Sequence, residues 1–182
     1  MKRILILALA VGCLAFWDAS AQVNGYGARG VLALPTGDFS NSAGTGFGGI
    51  GMVLYGFNEN LNFSGSVGYI AFGGKENTFF NTEGYKYSYA LIPITTGARY
   101  YFGGTESKTR FYAGGELGYF IYSLSVDTPE GESAGAGVGS TGRFGLTPQV
   151  GVELSILDIR AAYSLAEFKY IGIEVGVILG RK

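Results

Sequence analysis

Hydrophobic and polar positions alternate with a period of two from Asn24 to the end of the chain, and no stretch carries a helical period. Eight alternating runs are separated by Gly, Asn, Asp, Thr and Ser: Asn24–Leu34, Gly46–Phe57, Leu61–Phe72, Lys86–Phe102, Arg110–Val126, Arg143–Ser155, Leu157–Leu165 and Lys169–Leu179. In the sixth run Phe144, Leu146, Pro148, Val150, Val152 and Leu154 share one face, and Arg143, Thr147, Gln149 and Glu153 the other. The seventh sets Leu157, Ile159, Ala161 and Tyr163 against Asp158, Arg160, Ala162 and Ser164, and the eighth sets Ile171, Ile173, Val175, Val177 and Leu179 against Tyr170, Gly172, Glu174 and Gly176. The first two runs are weaker, because Gly occupies both faces, and Ile50, Met52 and Leu54 point inward. An even number of antiparallel strands near ten residues long predicts an all-β chain, an eight-stranded up-and-down transmembrane β-barrel.

The connections alternate in length as a spanning barrel requires. Those at 35–45, 73–85 and 127–142 are long; those at 58–60, 103–109 and around Ile156 are short, and 166–168 is a short member of the long-loop set. Outward aromatics fall at the two ends of the runs. Tyr26, Tyr55, Phe57, Phe63, Tyr100, Phe102 and Phe111 mark the short-turn end, and Phe47, Tyr69, Tyr119, Phe144 and Tyr163 the long-loop end. Two girdles at headgroup level are expected from amphipathic rings.

Residues 1–21 have a separate character: Lys2 and Arg3, an apolar run Ile4–Phe16, then Ala19-Ser20-Ala21. This reads as a secretory signal cleaved between Ala21 and Gln22, leaving 22–182 as the barrel domain. The competing reading acylates Cys13 after Ala10-Val11-Gly12, with Ala10 where Leu is usual. Cys13 is the single cysteine, so cleavage after Ala21 leaves no disulfide. A mean hydropathy of +0.24 with 13 Tyr and 13 Phe excludes disorder. A formal charge of −1 gives no basic surplus for nucleic acid. With no His, Ser-His and Cys-His hydrolysis and most metal centres fall away, so neither cofactor nor metal is expected.

Leu34-Pro35-Thr36-Gly37-Asp38-Phe39, Gly97-Ala98-Arg99-Tyr100-Tyr101-Phe102 and Phe111-Tyr112-Ala113-Gly114-Gly115-Glu116-Leu117-Gly118 stand at the ends of the first and fourth runs and at the start of the fifth. On these stretches, and over the whole of 22–182, the chain resembles the small OmpA/OmpX-like outer-membrane barrels of Gram-negative bacteria. The resemblance implies the cell outer membrane, contact with its lipid and lipopolysaccharide, and delivery by the barrel insertion machinery. Members commonly end on an aromatic residue, whereas this chain ends Val177-Ile178-Leu179-Gly180-Arg181-Lys182.

The parity of the last three runs places six charges inside: Arg29, Arg99 and Arg160 with Glu116, Glu153 and Glu174. An eight-stranded lumen is just wide enough for side chains to fill it, so these charges have to pair. Arg160 is expected to pair with Glu153, since both lie near the turn at Ile156. Tyr101, Tyr112, Phe120 and Tyr122 share the lumen and favour a plug over a pore. Glu153 and Glu174 are the acid–base candidates left without His, but they belong to the same balanced set and form no cleft. Asp127, Glu130 and Glu132 make a small acidic cluster in a loop, where a weak divalent-cation contact competes with plain solvation. The reading is a non-enzymatic structural or surface-recognition barrel that meets partners through 35–45, 73–85 and 127–142. A narrow channel or ligand-binding barrel, and a soluble periplasmic barrel around an apolar ligand, are the alternatives.

Overall fold

The structure is a computed structural model that describes residues 23–74, 86–103, 108–127, 133–134 and 140–180. The expected signal segment, its cleavage point at Ala21 and Gln22, Cys13, and the loop carboxylates Glu130 and Glu132 lie outside the described residues.

The alternating runs become long antiparallel strands: β1 (Val23–Pro35), β2 (Ala43–Gly56), β3 (Leu61–Gly74), β4 (Lys86–Phe102), β5 (Thr109–Asp127), β7 (Ser140–Leu154), β8 (Leu157–Ser164) and β9 (Tyr170–Leu179). A two-residue strand, β6 (Ser133–Ala134), extends the end of β5 through Val126 and Asp127. Each long strand pairs with the next in sequence, and β1 closes on β9 from Tyr26↔Leu179 to Pro35↔Tyr170. The result is a closed eight-stranded meander barrel. Over the shared height of the walls, closure pairs backbone donors and acceptors that an open sheet leaves exposed at its edges.

Alternation decides which side each residue takes. On β9, Tyr170, Gly172, Glu174 and Ile178 are buried while Ile171, Ile173, Val175, Val177 and Leu179 are exposed. Ile50, Met52 and Leu54 are buried inside the barrel, as their parity requires. Glycine permits the tight curvature where walls approach. A Cβ on Gly27 would lie 2.0 Å from the Val177 carbonyl oxygen, and one on Gly48 would lie 2.1 Å from that of Tyr69. Elsewhere rings use the missing side chain: Phe72 lies over Gly46 and Tyr112 over Gly151.

One feature departs from the sequence reading, and a second was already present in the unequal lengths of its runs. The connection after β1 contains one helical turn, α1 (Phe39–Ser42), which drives Phe39 into the mouth of the barrel. The walls also differ in height, since β4 and β5 have 17 and 19 residues and β8 only 8. The β7–β8 ladder ends at Gln149↔Ala162, with one further bond from Leu165 N–H to the Leu146 carbonyl at 2.8 Å. On its other side β7 stays paired to β5 up to Ser123↔Ser140.

Candidate functional site

The polar residues of this protein are concentrated in the half of the lumen nearer the short turns, and the alternation of the strands aims them there. Arg29 (β1), Arg99 (β4), Glu116 (β5), Glu153 (β7), Arg160 (β8) and Glu174 (β9) are all buried. They join into a ribbon of alternating sign. Arg160 Nη1 donates to Glu116 Oε1 at 2.8 Å, and its Nε and Nη2 donate to Glu174 at 2.7 and 3.0 Å. Glu174 Oε2 lies 3.0 Å from Arg29 Nε, and Arg29 Nη1 lies 3.8 Å from Asp158 Oδ2. Asp158 Oδ2 accepts from Arg99 Nη1 at 3.3 Å, and Arg99 reaches Glu153 Oε1 at 3.6 Å.

Neutral groups complete the ribbon. Tyr112 Oη donates to Asp158 Oδ1 at 2.8 Å, Thr95 Oγ1 donates to Glu116 Oε2 at 3.0 Å, and the Tyr101 hydroxyl donates to Glu153. Gln149 Nε2 donates to Glu116 Oε1 at 3.3 Å, while its carbonyl oxygen accepts from Arg160. The Arg99 guanidinium lies 4.7 Å over the Tyr112 ring, and that of Arg110 lies 4.1 Å over Tyr101. Charges buried to this extent need several such partners each, because desolvation otherwise exceeds the Coulombic gain.

Three points differ from the sequence reading. Arg160 does not take Glu153 as its ion-pair partner; it grips Glu174 and Glu116. Register gives the reason: Arg160 stands directly across from Glu174 on β9, whereas Glu153 on β7 stands across from Asp158. Asp158 is a central member of the ribbon, and Arg110 a buried neighbour at its lower end, in register with Glu153. Both were accessible to the same parity argument, since Asp158 is two residues before Arg160 and Arg110 two before Tyr112.

The half of the lumen nearer the long loops is apolar. Val31, Ala33, Ile50, Ile70, Phe72, Leu91, Phe120, Tyr122 and Tyr170 project from the strands, and Phe39, Ala43 and Ala166 close over them, with Tyr89 and Phe168 packed alongside. Phe39 meets Phe72 edge-on at 5.1 Å and Phe168 at 4.9 Å between ring centroids. At the short-turn end Met52, Leu54 and Ile178 form a second, smaller cluster. Tyr101, Tyr112, Phe120 and Tyr122 are all buried in the lumen. On the rim, Arg143 Nε donates to Glu167 Oε2 at 2.7 Å, and this bond raises the pKa of the exposed guanidinium above its ordinary value. Among the described residues no cluster of His, Cys, Asp or Glu has the arrangement of a metal site.

No family model matches the sequence, and no curated protein matches it. Among solved structures it is similar to Ail, the attachment invasion locus protein of Yersinia pestis, in complex with the heparin analogue sucrose octasulfate. The TM-score is 0.53 at 16% identity, over 85% of this chain and 95% of that one. It is also similar to Neisserial surface protein A, at TM-score 0.53 and 19% identity, over 85% and 94%. Both are eight-stranded outer-membrane β-barrels of Gram-negative bacteria, and this chain shares their fold.

Proposed function

We propose that this chain is an integral outer-membrane barrel, exported by a signal cleaved between Ala21 and Gln22, that does no chemistry. It contributes to the envelope and meets partners through its long connections. The observation that carries the reading is the inside-out distribution of polarity. Val67, Ile94, Leu117, Val150, Ile173 and Val175 form an exposed apolar belt, and Arg29, Arg99, Glu116, Glu153, Asp158, Arg160 and Glu174 lie within the barrel. Aromatics bound the belt, with Phe57 and Phe111 at one end and Phe47 and Phe144, the last 78% exposed, at the other. Water-soluble proteins rarely expose contiguous apolar surface on this scale, which disfavours the soluble periplasmic alternative. Hydrocarbon on the belt, lipopolysaccharide at the outer girdle and the barrel insertion machinery are the partners such a surface meets.

The long connections favour neutral or cationic partners outside the cell. In 35–45, 73–85 and 127–142 Lys75 stands alone against Asp38, Glu76, Glu83, Asp127, Glu130 and Glu132. That balance does not suit a sulfated polyanion such as the one in the Ail complex. The test is cell fractionation of the wild type beside Val175→Arg. The wild type is expected in outer membranes. Arginine in mid-belt should cost about 2–4 kcal/mol of barrel stability and reduce the folded fraction. Recovery of the wild type in the soluble periplasm, or an unaltered unfolding midpoint for the variant, overturns the proposal.

A further inference from the structure

We propose that the long-loop mouth is a blind receptor pocket for a small neutral aromatic molecule, one ring in size. The inference goes beyond the envelope role and does not depend on it. A cavity of about 120 Å³ opens there, bounded chiefly by Phe39, Phe72, Tyr89, Leu91, Tyr122 and Phe168. Apolar cavities of about 150 Å³ in protein interiors stay dry and accept benzene, so the volume is that of a single ring.

Three features select the class of guest. First, the wall is aromatic, and its rings already meet one another edge-on. Phe39 and Tyr89 lie 5.8 Å apart at 87°, and Tyr122 and Phe168 lie 4.3 Å apart at 61°. A guest ring extends the same packing, which an alkyl chain reproduces less well. Second, Ser123 and Thr141 line it together with Ala90, and none of the described lining residues carries a charge. An anionic ring would therefore lose its hydration without gaining a cation. Third, Ile70, Phe72, Leu91 and Phe120 are buried in one cluster between the mouth and the ion-pair ribbon and give the pocket a floor. The guest is held at the mouth, above that floor.

The full barrel in lipid nanodiscs can be titrated with 4-fluorophenol and followed by fluorine NMR, with 4-fluorobenzoate and empty nanodiscs as references. A saturable shift is expected for the phenol, with a Kd of about 1 mM or tighter for so small a ligand. Thr141→Phe fills the cavity from its exposed edge and should weaken binding about tenfold or more. Phe168→Ala removes one wall and should weaken it about two- to tenfold. If Thr141→Phe fails to fold, Phe168→Ala and the benzoate comparison decide alone. Four results overturn the proposal: no shift beyond empty nanodiscs, equal binding of the benzoate, affinity unchanged in the folded variants, or displacement by hexanol at lower concentration than by phenol. A shift that emerges only in a Phe79→Ala/Phe80→Ala double variant also overturns it, because the rings of the 73–85 connection would then be the natural occupants.

Discussion

The two halves of the lumen are filled on opposite principles. Near the short turns, six strands each supply a charged side chain, and the Glu116–Arg160–Glu174–Arg29–Asp158–Arg99–Glu153 order holds only when every ladder is in register. Near the long loops the filling is largely rings, and two of them, Phe39 and Phe168, come from connections rather than strands. Apolar packing tolerates substitution of roughly equal volume, whereas a buried guanidinium tolerates almost nothing but its own carboxylates. The lower half thus specifies the barrel, and the upper half finishes its mouth.

The sharpest way to break this contrast is Arg160→Ala. It removes the charge between Glu116 and Glu174, two buried carboxylates, and is expected to cost about 3–5 kcal/mol in urea unfolding. The double variant Arg160→Ala/Glu174→Ala should lose less than the two single variants added together, with a coupling of about 0.5–3 kcal/mol. Strict additivity would mean that the ribbon is a set of independent charges. In planar bilayers the wild type is expected to show no steady conductance, because buried ion pairs and rings stand in the lumen. A steady ion-selective wild-type current, lost in a folded Arg160→Ala barrel, would favour the channel alternative.

Phe39→Ala should do less. Deleting a fully buried core Phe costs about 3–5 kcal/mol, and a ring at an open mouth should cost roughly 1–3 kcal/mol. Its effect is expected to be local. Hydrogen exchange should quicken at α1 and around residues 165–169 and remain slow in β1 and β9, where Arg160→Ala quickens exchange throughout. Global acceleration in Phe39→Ala would mean that the mouth belongs to the same cooperative unit as the ribbon. Smallest of all, Ser155→Gly relieves a left-handed backbone, φ of 60°, in the β7–β8 turn. A gain of up to about 1 kcal/mol is expected in the unfolding midpoint, with no effect on either half of the lumen.

The strands were legible because a period of two needs nothing beyond the chain itself: β4 begins and ends at the expected Lys86 and Phe102, and β3 at least begins at Leu61. The side each charge takes followed from the same rule. Partner choice did not, because it depends on the stagger between strands. Arg160 and Glu153 are close along the chain, yet the ladders set Arg160 opposite Glu174. Phe39 was read as part of a loop motif, and its burial depends on α1 folding back over a mouth built by residues far away in sequence.

The unequal wall heights carry a consequence for behaviour outside the membrane. Above Gln149, β7 outruns β8, and on that side residues 140–145 pair with no described strand. The rim therefore has a step, with Ala166 packed against Gly145 at its base, and a strand edge left unpaired is a template to which another extended segment can be added. Arg143 sits in the step, charged, well exposed and tethered to Glu167 across the gap. A fixed charge beside a strand edge is one of the devices by which sheets deter chance strand addition, and Arg143 stands in the position to act in that way.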